Sequence, residues 1–209
     1  IRYTDDGTGY QNSVIDLTGY SAQNAQNLPA YTKNHLVPFG EYKPLPAITE
    51  PLYRMMNMPL AGFERGGRAQ VPLILANQRV AFNVCYEDGF GDELIPAAAQ
   101  STLLANASNL AWYGKSNAMY QHLQQSQARA LELGRYMVRA TNTGATAAID
   151  PQGRITAQLP ADTAAVLTAA VEGRSGQTPY MKLGGSWPLI SLLALTAAVL
   201  LIGRGKKAV

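Results

Sequence analysis

The sequence contains very little cysteine and histidine, which limits the chemistry that it supports. Its 209 residues include a single cysteine, so no intrachain disulfide forms and the fold needs no oxidising compartment. The two histidines, His35 and His122, are too few and too distant from other candidate ligands to predict a zinc site. We therefore expect neither a metal nor a cofactor.

Charged residues are also scarce, at 15% of the chain. The net charge of +3 equals the contribution of three basic residues near the carboxyl end, Arg204, Lys206 and Lys207. The other 14 basic residues balance 14 acidic ones, and a neutral body without a basic stripe argues against nucleic-acid binding. Apolar residues make up 47%, which at this length suits one globular domain with an appendage.

The only thiol, Cys85, follows a strand-like run over residues 79–84 in which apolar side chains occupy alternate positions. Residues 86–92 are acidic and contain two glycines, which is typical of a turn. An enzyme exposes a nucleophile at such a strand end, with carboxylates beside it. The alternative is that Cys85 is a small buried hydrophobic residue, as most lone cysteines are.

Residues 183–203 contain no charged side chain. Twenty-one residues at about 1.5 Å each cover the hydrocarbon layer of a bilayer, roughly 30 Å. Trp187 lies near one boundary and the basic residues lie just beyond the other, so the positive-inside tendency places that end in the cytoplasm. We predict a linker over 173–182, a transmembrane helix over 183–203 and a basic cytoplasmic tail over 204–209. A buried core helix or a disordered tail is the alternative.

Between these features the chain alternates strands and helices, which predicts a layered α/β domain. A helix is predicted over residues 116–137, where apolar or small side chains recur at intervals of four and three. The predicted strands are 13–17, 71–75, 79–85, 102–105, 145–150, 154–159 and 164–172. Turns at 76–78 and 151–153 predict two hairpins.

A second candidate for chemistry lies in residues 31–42, Tyr-Thr-Lys-Asn-His-Leu-Val-Pro-Phe-Gly-Glu-Tyr. Lys33, in this mostly apolar stretch, is suited to stabilise a developing oxyanion or to lower the pKa of a nearby thiol. Glu41 is suited to orient that ammonium group or a reacting group. Sequence spacing alone slightly favours a solvated loop lysine and a surface turn carboxylate.

Residues 53–63 form an apolar segment with three methionines beside two prolines and a glycine, counted from Pro51. Methionine-rich, loop-like segments make adaptable apolar surfaces. We predict that this segment is a lid or arm that touches a membrane or an acyl chain. The alternative, equally consistent with the sequence, is a loop packed on the core of its own domain.

Three windows together resemble the nitrilase, or carbon–nitrogen hydrolase, superfamily, whose catalytic set is a glutamate, a lysine and a cysteine. The first window is 31–42, and the second is Asn-Val-Cys-Tyr-Glu at 83–87. The third holds Asn-Ala-Ser-Asn-Leu-Ala-Trp-Tyr-Gly at 106–114, Gln-Ala-Arg-Ala-Leu-Glu-Leu-Gly-Arg at 127–135 and Arg-Ala-Thr-Asn-Thr-Gly at 139–144. Their order along nearly the whole chain makes the resemblance highly specific.

This resemblance implies a fold and a set of site residues. The fold is a nitrilase-like α-β-β-α sandwich over residues 1–172, incomplete at its amino-terminal side. By position, Cys85 is the nucleophile and Lys33 is the lysine that stabilises the oxyanion. Glu41, Tyr86 and Glu87 match positions that support the site in the family.

The lysine window, followed by a carboxyl-terminal span, is similar to membrane acyltransferases of the superfamily. These enzymes move a fatty acyl chain from a phospholipid, through a cysteine thioester, to the α-amino group of the N-terminal diacylglyceryl-cysteine of apolipoproteins. The resemblance therefore implies a phospholipid donor, a lipidated apolipoprotein acceptor and a location in the bacterial inner membrane. It places the catalytic domain on the periplasmic side.

One departure from the family pattern concerns the glutamate base, which lies well upstream of the lysine in relatives. Here only Asp5, Asp6 and Asp16 precede Lys33, and none has a matching context. Ile1 is not a start methionine, and the first residues resemble a hairpin entered midway. We expect a fragment whose missing beginning holds the base and a bundle of membrane helices.

Two other functions remain open from the sequence. A nitrilase-type amidase would share Lys33 and Cys85 but would not need the membrane span, and amide hydrolysis would distinguish it. A catalytically silent, membrane-anchored binding module would keep the fold without a reactive thiolate. The specificity of the three windows favours the acyltransferase.

Overall fold

The computed structural model describes residues 2–4, 9–21, 23, 27–56 and 62–205, with side chains described up to residue 200. The strands of this described part are β1 (Arg2–Tyr3), β2 (Tyr10–Gln11), β3 (Ser13–Ile15), β4 (Ala30–Thr32), β5 (Leu73–Leu75), β6 (Gln78–Val84), β7 (Leu103–Ser108), β8 (Met137–Thr141), β9 (Ala147–Ile149) and β10 (Ile155–Gln158). Its α-helices are α1 (Pro46–Met55), α2 (Gly91–Gln100), α3 (Ala118–Leu133), α4 (Pro179–Leu183) and α5 (Trp187–Gly205). Short 3-10 helices cover Cys85–Gly89 and Ala111–Tyr113.

Six strands form the main sheet, in the order β10-β9-β8-β7-β6-β5. Its centre is parallel, because β7 runs in the same direction as β6 and β8, and the outer pairings are antiparallel. Parallel strands end at one edge of a sheet, so the residues after Val84, Ser108 and Thr141 meet there. The predicted α/β class is confirmed, and this edge positions the candidate site.

The two small sheets pair β1 with β2 and β3 with β4. In the second pair, Ser13 lies opposite Thr32, the last residue of β4. The backbone N–H of Lys33 then donates to the carbonyl of Asn12 at 2.8 Å, which extends the pairing by one residue. Lys33 therefore follows directly after a paired strand and does not lie in a free loop.

Both predicted hairpins are confirmed. Ala76 and Asn77 connect β5 to β6 with φ of 47° and 63°, and two left-handed residues in succession are the signature of a type I′ hairpin turn. The second hairpin joins β9 to β10, where the Arg154 side chain donates to Asp150 at 2.7 Å across the turn. The first hairpin fixes the register of the strand that leads to Cys85.

The long helix is shorter than predicted. It ends at Leu133 because Gly134, with φ of 62°, takes the left-handed conformation that closes a helix. Met137 continues the helical spacing in the sequence but is the first residue of β8, so the prediction is wrong over 134–137. The helical stripe itself is buried as expected, at Met119, Leu123, Ser126, Ala130 and Leu133.

Two other local predictions need correction, and two helices were not predicted. The strand predicted over 164–172 pairs with no neighbour in the described structure, where most of its side chains are exposed and Val171 packs against the sheet. The turn predicted over 86–92 is a 3-10 helix followed by the first residues of α2. Helices α1 and α2 were not predicted, since each contains an internal proline, Pro51 and Pro96, that conceals its helical pattern.

The core lies mainly between the sheet and the pair α2 and α3. Leu94 and Ala98 of α2 and Leu133 of α3 pack there against the sheet residues Leu104 and Ile149. Burying a leucine side chain contributes about 1.5–3 kcal/mol, so this layer holds the site's elements together. A smaller cluster on the sheet contains Val80, Leu103 and Ala105, with partly buried Leu75, Phe82, Tyr136 and Val171 around it.

The carboxyl-terminal region holds two helices. α4 is one short turn with Met181 buried, and α5 is an apolar helix whose side chains from 187 to 200 are exposed. Judged by length and hydropathy, none of the helices within the described residues qualifies as a membrane span. Most of the predicted basic tail, residues 206–209, lies outside the described part of the chain.

Candidate active site

Cys85 begins the 3-10 helix directly after β6, at the carboxyl edge of the parallel strands. Its φ of 54° is left-handed, a conformation that L-residues with a side chain rarely adopt. The Sγ atom lies 3.9 Å from the carbonyl oxygen of Asn109, the residue that follows β7. The half-buried thiol is thus held at the junction of two parallel strands, where the sequence predicted a nucleophile.

Lys33 and Glu41 form a buried ion pair. The Lys33 side chain is 1% exposed, and its Nζ donates to Glu41 Oε1 at 2.9 Å and lies 2.8 Å from Glu41 Oε2. Glu41 also accepts from the Val37 backbone N–H at 2.8 Å and from the Asn12 side chain at 3.3 Å. Neither residue is the solvated surface group that spacing alone favoured. A lysine held this way presents a fixed positive charge.

Glu87 connects the segment of Lys33 to the segment of Cys85. One carboxylate oxygen accepts from the backbone N–H groups of Asn34 and His35, at 2.7 Å and 3.0 Å. The other accepts from the Val84 N–H at 2.7 Å and from the Tyr31 hydroxyl at 2.9 Å. With four donors on one buried carboxylate, Glu87 fixes the position of Lys33 relative to Cys85.

Tyr86 packs with two other rings beside the site. Its ring centroid lies 5.6 Å from that of His35 and 5.0 Å from that of Phe90, with edge-to-face geometry in both pairs. His35 in turn stacks on Phe90 at 3.6 Å and approaches Glu93 at 3.0 Å through Nδ1. These contacts hold the first turn after Cys85 against the lysine segment.

The charges around the thiol act in opposite directions. Burial raises the pKa of Cys85, and this effect exceeds the lowering by Lys33, by the Tyr86 backbone N–H and by Arg139. Glu41 raises the pKa further. The resting group is therefore a thiol rather than a thiolate near neutral pH, and reaction requires that a base remove its proton.

A buried polar network lies beneath the site and was not predicted. The Asp88 carboxylate, fully buried, accepts from Asn83, Ser126 and Arg139, the last at 3.0 Å. Arg139 also donates to Ser126 at 2.7 Å and to Asn106 at 3.1 Å. Removing one partner of a buried ion pair costs about 3–5 kcal/mol, so the network anchors the 3-10 helix that Cys85 begins.

His122 of α3 adjoins this network. Its Nδ1 lies 3.7 Å from the Asp88 carboxylate, and neither ring nitrogen has a hydrogen-bond partner among the described atoms. Burial and the nearby Arg139 lower the pKa of His122 to about 4. The imidazole is therefore neutral at physiological pH. One feature of the sequence indicated that His122 is buried. The spacing of the α3 stripe places residue 122 beside Leu123 on the buried side of the helix.

The third window lies at the same edge of the sheet. The Asn109 side chain accepts from Asn142 at 2.7 Å, and Asn142 accepts from the Leu110 backbone N–H at 2.9 Å. This contact joins the loops after β7 and β8. Trp112, on the first of these loops, is 86% exposed. Across the described ranges, no cluster of three histidine, cysteine or acidic side chains is arranged to hold a metal ion.

The sequence profile of the carbon–nitrogen hydrolase family matches residues 4–180. The chain belongs to this family. The profile spans all three windows, and it covers every residue assigned to the site above. The superfamily predicted from the lysine, cysteine and asparagine windows is therefore confirmed.

Two relatives carry the same name. The chain is 66% identical to the apolipoprotein N-acyltransferase of Neisseria meningitidis, over 99% of this chain and 40% of the relative. It is 55% identical to the apolipoprotein N-acyltransferase of Chromobacterium violaceum, over 97% of this chain and 38% of the relative. The chain thus spans about two fifths of the length of these curated relatives.

Two solved structures share the fold. The Caenorhabditis elegans NitFhit protein matches with a TM-score of 0.53 and 20% identity, over 76% of this chain and 38% of that protein. A carbon–nitrogen hydrolase from Helicobacter pylori matches with a TM-score of 0.51 and 15% identity, over 74% of this chain and 54% of that chain. At these identities the likeness establishes the nitrilase-like α/β fold.

Proposed function

We propose that this chain carries the cysteine chemistry of an N-acyltransferase for bacterial lipoproteins. The enzyme moves a fatty acyl chain from a phospholipid to the α-amino group of the N-terminal diacylglyceryl-cysteine of an apolipoprotein. The observation that carries the proposal is the buried Lys33–Glu41 pair, tied through Glu87 to the turn of the lone thiol Cys85. The named relatives support it, at 66% and 55% identity.

In the first half-reaction, the Cys85 sulfur attacks the ester carbonyl of the phospholipid while a base removes the thiol proton. The negative charge that develops on the carbonyl oxygen is stabilised by Lys33, whose ammonium group is already fixed by Glu41. Collapse of the tetrahedral intermediate breaks the ester C–O bond. The released alkoxide takes the proton from the base and leaves as lysophospholipid, with the acyl group held as a thioester.

In the second half-reaction, the α-amino group of the apolipoprotein attacks the thioester carbonyl. Lys33 again stabilises the oxyanion, the C–S bond breaks and an amide forms. The proton lost by the amine returns to the Cys85 sulfur through the base. A thioester is a suitable intermediate because an amine displaces a thiolate more readily than an alkoxide.

The base is expected to be a glutamate that the family places upstream of the lysine and that this sequence does not match. The raised pKa of Cys85 gives that base a defined task, because the thiol does not ionise by itself near neutral pH. Glu41 and Glu87 are each occupied by hydrogen bonds from neighbouring residues. Tyr86 supports the turn and contributes its backbone N–H to the sulfur.

We infer that the enzyme is held in the bacterial inner membrane, with this domain in the periplasm and its carboxyl end in the cytoplasm. The uncharged sequence of 183–203, the basic residues after it and the exposed apolar helix α5 support this topology. On α1, exposed Ile48, Leu52 and Met55 lie on one helical face and form a further apolar surface. That surface suits the predicted membrane-touching arm, of which residues 57–61 lie outside the described part.

The test is to trap the acyl-enzyme. The complete protein is incubated with phospholipid vesicles, and mass spectrometry follows a mass increase of one acyl chain on the peptide that contains Cys85. We expect the adduct in the wild type, its loss on addition of a diacylated lipopeptide, and no adduct or turnover in Cys85→Ser. Amide hydrolysis without transfer would indicate an amidase, and an unacylated, unreactive Cys85 would indicate a binding module. Either result would overturn the proposal.

A further inference from the structure

The segment between the last hairpin and α5 is attached to the domain along its length. The Arg174 backbone N–H donates to the Thr102 carbonyl at 2.9 Å, and buried Arg135 donates to the Gly176 carbonyl at 2.7 Å. Two residues later, the Thr178 hydroxyl donates to the backbone of α3, and Met181 inserts into the main core. These contacts hold the segment against the domain as far as Met181.

Asp92, the second residue of α2, meets this segment where α5 begins. Its Oδ1 accepts from the Gly185 backbone N–H at 2.6 Å, two residues before Trp187, the first residue of α5. The Tyr180 hydroxyl faces the same carboxylate, and burial together with Asp92 raises the pKa of that tyrosine. Because a carboxylate accepts hydrogen bonds more strongly than a neutral group, Asp92 is a firm anchor for the start of α5.

Two glycines show how closely α2, α4 and the residues before α5 approach one another. A Cβ atom on Gly91 would lie 2.5 Å from the Tyr180 hydroxyl and 2.8 Å from a Glu132 carboxylate oxygen. A Cβ atom on Gly185 would lie 3.0 Å from Asp92 Oδ1. A side chain at Gly91 would therefore require its neighbours to move, and one at Gly185 would press against the Asp92 carboxylate.

The first turn of α2, which contains Asp92, also follows closely on the turn of Cys85. The 3-10 helix that starts at Cys85 ends at Gly89, and α2 begins two residues later, so Asp92 is seven residues from the thiol. The Arg129 side chain donates to the Asp88 carbonyl at 3.0 Å and pairs with Glu132 at 2.7 Å, which ties this connection to α3. The residues just before α5 are thus connected to the turn of Cys85 through the first turn of α2.

We propose that Asp92 is a positioning residue, which clamps the start of the membrane helix to the nucleophile's turn and so sets the height of Cys85 above the bilayer. This inference rests on the proposed function, because it requires that α5 lie in a membrane and that the donor be a bilayer lipid. The ester groups of a phospholipid lie within a narrow interfacial layer. A thiol held at that depth meets them at a high effective concentration, whereas a thiol on a loose tether does not.

The first experiment compares two acyl donors for the complete protein in vesicles of phosphatidylethanolamine and phosphatidylglycerol. One donor is the bilayer phospholipid, and the other is a water-soluble p-nitrophenyl ester of a short acyl chain. In Asp92→Ala we expect acylation of Cys85 from the bilayer to fall about tenfold, whereas acylation by the soluble ester changes less than twofold. Asp92→Asn keeps an oxygen that accepts from Gly185 and should retain most of the bilayer rate.

Glu172→Ala is the matched control, since it removes an exposed carboxylate near the same segment. A Gly-Ser-Gly insertion between Gly184 and Gly185 lengthens the junction without touching Asp92 and should reproduce the selective loss. Equal loss with both donors would mean that Asp92 only supports the nucleophile's turn, and an unchanged bilayer rate would mean that it has no role. Either outcome overturns the clamp.

A second readout does not require acyl transfer. A bimane probe on Cys85 is quenched by nitroxide-labelled lipids in a manner that depends on its depth, and we expect Asp92→Ala to change the quenching by at least a third. Unchanged quenching overturns the clamp. If quenching depends on Asp92 but the wild type takes no acyl chain from phospholipid, the proposed function fails and only the effect of Asp92 on the depth of Cys85 remains.

Discussion

The Glu87 carboxylate accepts the backbone N–H of Asn34 at 2.7 Å, across 53 positions of the sequence. Its second oxygen accepts the N–H of Val84, the residue immediately before Cys85. One side chain therefore sets the separation between the fixed cation and the thiol. The sequence alone placed Glu87 only at a position that supports the site. The structure shows the hydrogen bonds that it accepts from both segments.

Glu87→Gln should destabilise the protein and slow acylation together. The amide has one oxygen where the carboxylate has two, so its NH₂ group faces N–H or O–H donors and at least one bond is lost. A hydrogen bond to a charged group contributes about 1.5–3 kcal/mol, and we expect a loss of about 2–4 kcal/mol. Thermal unfolding and the rate of acyl-Cys85 formation measure the two effects. Glu172→Gln, which alters an exposed carboxylate, should change neither the melting temperature nor the acylation rate. An unaltered melting temperature in Glu87→Gln would contradict the bridging role.

Lys33→Ala should slow acylation of Cys85 by at least a hundredfold, by analogy with the loss of an oxyanion-hole donor. Lys33→Arg should not restore the rate, because the larger planar guanidinium does not fit the buried site between Glu41 and the thiol. Intact-protein mass spectrometry follows the adduct. Normal adduct formation in Lys33→Ala would remove the lysine from the mechanism.

The pKa of the Cys85 thiol should respond in opposite directions to its two charged neighbours. Lys33→Met removes a cation that lowers this pKa, so the pKa rises and alkylation at a fixed pH slows. Glu41→Gln removes an anion that raises it, so the pKa falls and alkylation accelerates. The pH dependence of iodoacetamide alkylation measures both shifts. The controls are Lys43→Met and Glu50→Gln, which remove the two partners of an ion pair at α1. Shifts of the Cys85 pKa with the same sign in Lys33→Met and Glu41→Gln would refute the assignment.

Serine at Met55 and Met56 should reduce transfer from lipid without unfolding the domain. Both side chains are more than half exposed, so their loss removes apolar surface from solvent and leaves the core intact. Met58, predicted in the same segment, lies outside the described residues. Turnover with vesicles and the melting temperature are measured together. The control replaces Val71 and Ile74, two exposed apolar residues near β5, with serine. A marked fall in the melting temperature of the Met55 and Met56 variant, with normal turnover, would rule out the arm.

His122 should make the fold sensitive to mild acid. Its folded pKa of about 4 lies below the ordinary value of 6.5, so the unfolded chain binds more protons between these limits and stability falls as pH falls through that window. By pH 5 the loss amounts to about 2 kcal/mol, at 1.36 kcal/mol for each pH unit. His122→Gln cannot titrate, so its melting temperature should differ less between pH 7 and pH 5 than that of the wild type. An equal difference in the wild type and in His122→Gln would exclude this role.

The parts of the fold that local patterns specify were predictable. The β5–β6 hairpin follows from alternating apolar residues on either side of Ala76 and Asn77, and the α3 stripe follows from its spacing. The segments α1 and α2 were missed because a proline inside each breaks the pattern that identifies a helix. The end of α3 was misplaced because Met137 keeps the helical spacing although Gly134 has already closed the helix.

The candidate site divides in the same way. Cys85 and Lys33 stood out by residue type and local motif, whereas the network under them depends on contacts between distant positions. Arg139 reaches Asp88 across 51 positions and Ser126 across 13, and nothing in the local sequence at either end shows that these side chains meet. No local pattern distinguishes a buried arginine that anchors a turn from one on the surface of a strand.

The left-handed backbone of Cys85 makes this residue a point of local frustration. A residue with a side chain costs about 1–3 kcal/mol in this conformation, and glycine would relieve the cost but remove the sulfur. The conflict between local preference and function is resolved by the neighbours, since the Val84 N–H bound to Glu87 and the Asp88 carboxylate bound to Arg139 bracket the turn from both sides. The turn therefore keeps a conformation that Cys85 itself disfavours, and contacts made by its neighbours supply the stabilisation.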